Sequence, residues 1–142
     1  DPLELTVASG PLQAPTAVGV GNPHAVFFVE DPRAIDLELF GPEIEHHPMF
    51  PNRTNVEAVS VESNDRLRVR VWERGVGITQ ACGTGACAAL VAAHRRGLTG
   101  RQATVQLDGG DLQIDWRADG HVMMTGPTAR VYSGTLDLDQ LS

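Results

Sequence analysis

Lysine is absent from this chain of 142 residues, and all 11 of its basic residues are arginines. The absence excludes a P-loop, because that phosphate-binding turn requires a lysine. Acidic residues number 18 and the formal net charge is -7, which argues against nucleic acid or an anionic membrane surface as a partner. A signal peptide and a long apolar span are also lacking, so we expect a soluble, cytoplasmic protein.

Cysteine is scarce as well. The two cysteines, Cys82 and Cys87, lie on one turn-and-helix segment and are too close together to staple a fold, so we expect reduced thiols in a reducing compartment. The chain is long enough for one domain with a genuine core, and its hydrophobic fraction of 42% is ordinary. Because the sequence begins Asp1-Pro2-Leu3 without an initiator methionine, we expect a domain cut from a larger protein.

Most of the chain has the composition of short strands separated by turns. The predicted strands cover residues 3–7, 16–20, 25–29, 56–61, 67–71, 104–107, 112–116, 122–125 and 129–136. Apolar residues of 67–71 alternate with Arg68 and Arg70, which predicts a solvated face for these arginines. Hairpin turns are predicted at residues 108–111 and 118–120.

Two helical segments interrupt the strands. The first covers residues 35–40 and is predicted to end at Gly41-Pro42, with a separate turn at 43–46. The second, residues 83–96, is apolar at every position from 86 to 93, so it has no polar face and is predicted to be buried all round. We therefore predict an α+β fold, in which a curved, mainly antiparallel sheet wraps as a pseudo-barrel around one central buried helix.

Cys82 stands immediately before this buried helix, in the run Cys82-Gly83-Thr84-Gly85. Unpaired N–H groups and the dipole at a helix N-terminus favour negative charge, which lowers the pKa of a cysteine and favours a thiolate. The glycines allow backbone to approach a ligand carboxylate or phosphate. The alternative is a small buried cysteine without chemistry. Cys87 lies about 140° further round the helix, at ~100° per residue, and is predicted to point into the core.

Other polar residues are weaker candidates for a site. His24 is either a general base or a satisfied loop residue. Asn55 caps a turn or binds an amide or carboxylate. Glu73 and Arg74 form a surface pair or present opposite charges to a zwitterion. No metal site is predicted, because the acidic and histidine residues of 43–47 match no zinc-binding spacing.

In their order along the chain, these segments resemble the C-terminal domain of the diaminopimelate epimerase family. The matching runs are Gly21-Asn22-Pro23-His24, Gly41-Pro42, Ile44-Glu45-His46, Phe50-Pro51, Thr54-Asn55-Val56, Glu73-Arg74-Gly75, residues 81–86, Gly109-Gly110 and Gly126-Pro127. The resemblance implies that residues 1–142 are one domain of a two-domain bacterial epimerase, without its N-terminal domain. In the family each domain wraps a sheet around a helix and supplies one cysteine to the cleft between the domains.

The resemblance implies a function as well: cofactor-independent epimerisation of LL-2,6-diaminopimelate to the meso form, a step toward lysine and peptidoglycan precursors. One cysteine removes the α-proton as a thiolate and the other returns a proton on the opposite face. The implied partners are an amino-acid substrate, the N-terminal domain and, as an open possibility, a second copy in a homodimer. Because nothing here matches the second cysteine, this chain alone is expected to be folded but inactive.

By position, the resemblance makes Cys82 one acid/base of the reaction. Glu73 would tune Cys82 and contact the substrate amine, and His24 would serve the cysteine of the other domain. Backbone N–H groups of Gly83 and Thr84 would hold the reacting carboxylate, as hydrogen bonds and helix dipoles there stabilise a carbanion.

Three further residues are implied to contact the substrate, namely Asn22, Asn55 and Arg74, the last two at its distal end, where an arginine can bind a carboxylate bidentately. Ile78 departs from the family, which usually has a glutamate at this place in the turn ahead of Cys82. Other functions stay open: a proline- or hydroxyproline-type racemase of the same architecture, a non-catalytic domain that binds an anionic amino acid, and a cysteine hydrolase with His24 as base.

Overall fold

The computed structural model describes residues 2–137. Within them the strands are β1 Ala8–Ser9, β2 Leu12–Gln13, β3 Thr16–Gly19, β4 Pro23–Phe28, β5 Asn55–Ser63, β6 Arg66–Glu73, β7 Gly77–Thr79, β8 Gln102–Leu107, β9 Gly110–Trp116 and β10 Val122–Thr125. The α-helices are α1 Leu37–Glu45 and α2 Gly83–Arg95, and a short 3-10 helix covers Pro32–Ala34. No helix in this part of the chain is long and apolar enough to cross a membrane.

One curved sheet contains every strand except the small β1–β2 hairpin. Its order is β10-β9-β8-β6-β5-β4-β3, and β7 pairs with the end of β6. The neighbours are antiparallel except for β4 with β5 and β6 with β8. Parallel neighbours require a crossover connection, and the two crossovers carry α1 and α2 respectively. The sheet is therefore mixed, with antiparallel pairs in the majority, as predicted.

Helix α2 lies in the hollow of this sheet and contacts strands from β3 at one edge to β10 at the other. Its small residues Ala88, Ala89 and Ala92 are fully buried, so the strands can approach closely from several sides. The helix ends in a Schellman motif: Gly97 has φ +73°, and the N–H of Leu98 donates to the carbonyl oxygen of Ala93 over 2.9 Å. The predicted pseudo-barrel around a buried helix is confirmed.

A second core covers the outer face of β4 and β5. Alternate residues of these strands point to opposite sides: Val26 and Val59 pack toward α2, whereas Phe27 and Ala58 pack toward α1. Because both faces are covered, the centre of the sheet holds few water-facing positions. A charged residue in these two strands must therefore be paired or protonated.

The first helix differs from the prediction. It does not end at Gly41-Pro42 but runs through both residues to Glu45. Pro42 lacks an N–H group, yet its carbonyl oxygen accepts from the N–H of His46 over 3.1 Å, so only one helical bond is lost. The ring of Trp72 packs against Gly41, where a Cβ atom would stand 2.6 Å away. Packing of Trp72 against the helix thus outweighs the local tendency of Gly41-Pro42 to end it.

Two of the predicted strands are wrong. Residues 3–7 have single hydrogen bonds to the segment before β3, such as Leu5 N–H to Pro15 O over 2.9 Å, but no ladder. Residues 126–137 carry no secondary structure, and Val131 is 88% exposed. A strand needs a neighbouring strand to satisfy its backbone groups, and residues 126–137 belong to no strand pair in the described part of the chain. The strand β7 was not predicted.

The face that carries Arg68 and Arg70 is less open than predicted. Asp108 of the β8–β9 turn lies 3.3 Å from Arg70 Nε and 3.9 Å from Arg68 Nη2. Arg70 Nη1 also donates to the carbonyl oxygen of Ile35 over 3.3 Å. The connection into α1 therefore covers part of this face. The two predicted hairpin turns are confirmed, because they join β8 to β9 and β9 to β10.

Replacement of Gly41 by alanine tests the contact with Trp72. In an unconstrained helix interior, alanine is favoured over glycine by about 1 kcal/mol. Here the new methyl group must displace the indole ring, so we expect Gly41→Ala to lower the free energy of unfolding by about 1–3 kcal/mol. Urea denaturation measures the difference. Gly19→Ala is the matched control, because a Cβ there meets nothing within 4 Å; a stabilised Gly41→Ala protein would contradict the packing argument.

Candidate active site

Cys82 is the N-cap residue of α2, with extended backbone at φ -139° and ψ 108°. Its sulfur accepts a hydrogen bond from the Gly85 N–H over 3.3 Å and lies 3.6 Å from Thr84 Oγ1. The sulfur thus occupies the place that a serine or aspartate oxygen takes in a common N-cap. The structure places Cys82 at the helix N-terminus, as the sequence predicts, with 9% of the residue exposed.

The pKa of the Cys82 thiol is raised above its ordinary value, mainly by burial. Hydrogen bonds from Thr84 and the Gly85 N–H act in the opposite direction, and the charges of Glu73 and Glu57 add to the rise. The expectation of a lowered pKa is therefore wrong for this chain, because desolvation outweighs the helix terminus.

A chain of polar side chains leads away from this sulfur into the core. Asn22 Nδ2 donates to Thr84 Oγ1 over 3.3 Å, and Asn22 Oδ1 lies 3.0 Å from His24 Nε2. His24 Nδ1 lies 2.5 Å from Glu57 Oε1. Five residues from three separate segments therefore form one continuous path from Cys82 to the centre of β5.

Glu57 is the site residue that sequence reasoning missed. It is fully buried, and its Oε2 has no hydrogen-bond partner. Burial raises the pKa of this carboxyl, against the opposing effect of His24. A Cβ atom on Gly85 would stand 3.0 Å from Glu57 Oε1 and 3.2 Å from Cys82 Sγ, so the glycine leaves room for both groups. An acidic residue within the apolar run Val56-Glu57-Ala58-Val59 was the available signal.

Glu73 and Arg74 follow one another at the end of β6. Glu73 is half-buried, and its Oε1 accepts from Thr79 Oγ1 over 2.6 Å. Arg74 is exposed, and its Nη1 donates to the carbonyl oxygen of Asn52 over 3.1 Å. Glu73 is close enough to Cys82 for its charge to raise the thiol pKa, whereas Arg74 stands outside the polar path described above. Ile78, between them and Cys82, packs on the α1 core.

Two buried polar residues accept hydrogen bonds from the backbone of the turn between β6 and β7. Asn55 Oδ1 accepts from the Arg74 N–H over 2.8 Å, and Asn55 Nδ2 donates to the carbonyl oxygen of Pro23 over 2.9 Å. Glu45 accepts from Trp72 Nε1 over 2.8 Å and from the Gly75 N–H over 2.9 Å. Asn55 thus fixes the backbone on which Glu73 stands. Its contact with a substrate stays a prediction.

The fold and this geometry can now be compared with known proteins. The family model for diaminopimelate epimerase matches residues 16–131. The chain belongs to the diaminopimelate epimerase family.

Family relatives are similar in sequence along nearly the full length of this chain. The diaminopimelate epimerase of Rhodospirillum centenum is 58% identical over 136 residues, which are 96% of this chain and 47% of the relative. That of Acidiphilium cryptum is 53% identical over 142 residues, which are 100% of this chain and 51% of the relative. The chain therefore spans about half the length of the curated relatives it matches.

A solved structure supports the fold. A protein described as a predicted epimerase from Pseudomonas aeruginosa superposes with a TM-score of 0.53 and 17% sequence identity, over 84% of this chain and 46% of the other. At this identity the likeness concerns the arrangement of strands around a helix. It agrees with the pseudo-barrel predicted from the sequence.

Cys87 packs against the α2 core of this diaminopimelate epimerase family domain but is not enclosed by it. It is half-buried on the wall of a groove with a volume of about 570 Å³, together with Val18, Val91 and Trp116. The edge strands β3 and β10 do not pair with each other, so the sheet leaves this side of α2 uncovered. Burial raises the pKa of the Cys87 thiol. Cys87 therefore lies at the margin of the predicted core rather than inside it, because the barrel is open here.

Metal-ligating side chains do not cluster within residues 2–137: no group of three or more histidine, cysteine or acidic residues is placed to hold an ion. Instead, six of the predicted site residues collect around the N-terminus of α2, on the ends of β4 and β6 and in the first turn of the helix. They are Asn22, His24, Glu73, Cys82, Gly83 and Thr84. Asn55 lies beneath this group and Arg74 at its rim.

The buried Glu45 provides a test of the support beneath the site. Burial alone would raise the pKa of its carboxyl, but hydrogen bonds from Trp72 and the Gly75 N–H lower it below the ordinary value. A carboxyl whose pKa is lower in the folded state contributes stability above its unfolded pKa and loses it as pH falls through the folded pKa. We expect wild type to be more stable than Glu45→Gln at neutral pH and the difference to shrink on acidification below the ordinary carboxyl range. Urea unfolding across pH measures it, and a difference independent of pH would contradict this assignment.

Proposed function

We propose that this chain is the C-terminal half of an isomerase that epimerises LL-2,6-diaminopimelate to the meso form without a cofactor, and so serves lysine and peptidoglycan precursor synthesis. The observation that carries the proposal is Cys82 at the N-cap of α2, with its sulfur held by the Gly85 N–H. Family membership and relatives named diaminopimelate epimerase support the choice of substrate.

The N-terminus of α2 suits the reacting carboxylate. The first N–H groups of a helix have no intrahelical acceptor, and here they belong to Gly83 and Thr84. A substrate carboxylate on these groups would place the α-carbon beside the sulfur of Cys82. When the α C–H bond breaks, its electron pair delocalises toward the carboxylate, and the same N–H groups stabilise that charge.

Cys82 takes one of two complementary roles. Inversion requires one group that removes the α-proton and another that delivers a proton to the opposite face. The raised pKa of Cys82 favours its thiol form, which suits the proton donor. In the reverse direction it receives the proton and is the base. The N-terminal domain would supply the second cysteine, since Cys87 opens into the groove on a different side of α2.

The other residues of the site have supporting roles in this proposal. Glu73 would contact the substrate amine, and its charge, which raises the pKa of Cys82, disfavours a permanent thiolate there. Asn22 and His24 border the helix N-terminus. Arg74 is exposed at the rim, where it can meet a distal carboxylate.

The test is loss of the α-proton NMR signal of LL-diaminopimelate in D2O. We expect exchange by a full-length protein that joins this chain to an N-terminal half like those of its relatives, and none by the chain alone. In the full-length protein, Cys82→Ala should reduce conversion of LL-diaminopimelate to the meso form by at least about a hundredfold, as expected for loss of the acid/base group on one face.

Cys87→Ala is the matched control and should leave exchange unchanged. Exchange by the chain alone would contradict the need for a second domain. Full-length protein that exchanges the α-proton of proline but not of diaminopimelate would favour the proline-type racemase, and binding without any exchange would favour an amino-acid-binding domain.

A further inference from the structure

Glu57 has no part in the function proposed so far, although it is the most deeply buried acid in the described chain. Its Oε1, 2.5 Å from His24 Nδ1, lies close to Gly85 in the first turn of α2, and its Oε2 has no hydrogen-bond partner. An isolated carboxylate in such a place costs several kcal/mol and is retained only with a compensating partner. The compensation here is a single side chain, His24.

The hydrogen bonds of the path from His24 to Cys82 all donate in the direction of Cys82, in one consistent order. Asn22 uses Nδ2 toward Thr84 Oγ1, so its other end, the acceptor Oδ1, faces His24. With the Asn22 amide in this orientation, His24 Nε2 carries the hydrogen of the contact, because two acceptors cannot bond to each other. Thr84 Oγ1 accepts from Asn22, which leaves its own hydrogen free for the sulfur of Cys82.

The remaining ring nitrogen, Nδ1 of His24, faces Glu57 Oε1. Whether the proton between them stands on the nitrogen or on the oxygen, the pair holds one proton there and keeps a second on Nε2. An apolar residue at position 57 would leave Nδ1 without a partner. His24 could then move its hydrogen to Nδ1, Asn22 would turn its amide, and the Thr84 hydroxyl would donate to Asn22 instead of to Cys82.

We propose that Glu57 is a positioning residue, which shares one proton with His24 and thereby keeps the hydrogen bonds of Asn22 and Thr84 directed at the sulfur of Cys82. The catalytic meaning of this role rests on the function proposed above, whereas the hydrogen-bond path itself does not. A thiolate on Cys82 would receive the Thr84 hydroxyl and the Gly85 N–H, both of which lower its pKa.

A purely electrostatic role makes the opposite prediction. The negative charge of Glu57 raises the pKa of Cys82, so a residue that acted only as a charge would slow thiolate formation. Its removal by any neutral residue would then make Cys82 more reactive. A positioning role instead requires a hydrogen-bonding side chain of the same shape, and glutamine satisfies this requirement because its amide N–H can donate to Nδ1.

The test compares Glu57→Gln and Glu57→Leu in this chain, in a Cys87→Ala background that leaves Cys82 as the only thiol. The first measurement is the pH profile of Cys82 alkylation by iodoacetamide. We expect the glutamine variant to superimpose on the parent. The leucine variant should react about tenfold more slowly at neutral pH, which corresponds to a rise of about one pKa unit. The second measurement is the 15N spectrum of His24, in which the parent and the glutamine variant should show a protonated Nε2.

Thr84→Val extends the test if Glu57→Leu fails to fold, because it removes only the last hydroxyl of the path. It should slow alkylation in the same way. Where Glu57→Leu does fold, the double variant should react no more slowly than the slower single variant, as expected for residues in one network. Faster alkylation in both Glu57 variants would overturn the proposal in favour of a charge effect. A parent spectrum with the hydrogen on Nδ1 alone would overturn it as well.

These measurements use no substrate, so they separate the two proposals. Failure of α-proton exchange with a normal alkylation pattern would reject the epimerase function but keep the path from Glu57 to Cys82. Normal exchange in full-length protein with Glu57→Leu, together with unchanged alkylation, would reject the positioning role and keep the function.

Discussion

The burial of α2 is the constraint on which the rest of the structure depends. A helix of small apolar residues cannot stay in water, and the sheet curves so that strands from β3 to β10 all reach it. Because strands contact the helix on every side except the groove between β3 and β10, its position along its own axis is fixed. The N-terminus of α2 therefore emerges at one defined rim, where the ends of β4 and β6 supply the polar side chains of the site.

The central helix, the curved sheet and most of the site could be predicted from the sequence. All eight residues 86–93 are apolar, so a helix there has no polar face to turn toward water. A central helix with a sheet wrapped around it could therefore be predicted. The ordered runs around Asn22, Glu73 and Cys82 indicated the family, and most of these residues meet at one end of α2. The continuation of α1 through Pro42 was not readable, since it depends on the fit of Trp72 against Gly41, a contact between residues far apart in sequence.

The protonation of Cys82 and the burial of Glu57 could not be predicted from local sequence patterns. A helix N-terminus argues for a thiolate, but burial and two nearby carboxylates reverse the balance at Cys82. Glu57 could not be recognised from the strand pattern alone, because its burial depends on α1 covering one side of the sheet and α2 the other. Such effects depend on what lies above and below a residue, and only the assembled fold supplies that information.

The order of strands in the sheet has a consequence for the path of folding. β6 pairs locally with β5, but its other neighbour, β8, is separated from it by β7 and the whole of α2. The loop that joins β6 to β8 gains its contacts only after the chain between them is ordered, and such non-local pairing is slow. The β5–β6 hairpin should therefore acquire protection from amide hydrogen exchange before β8 does, and the helix that carries Cys82 should dock between these two events.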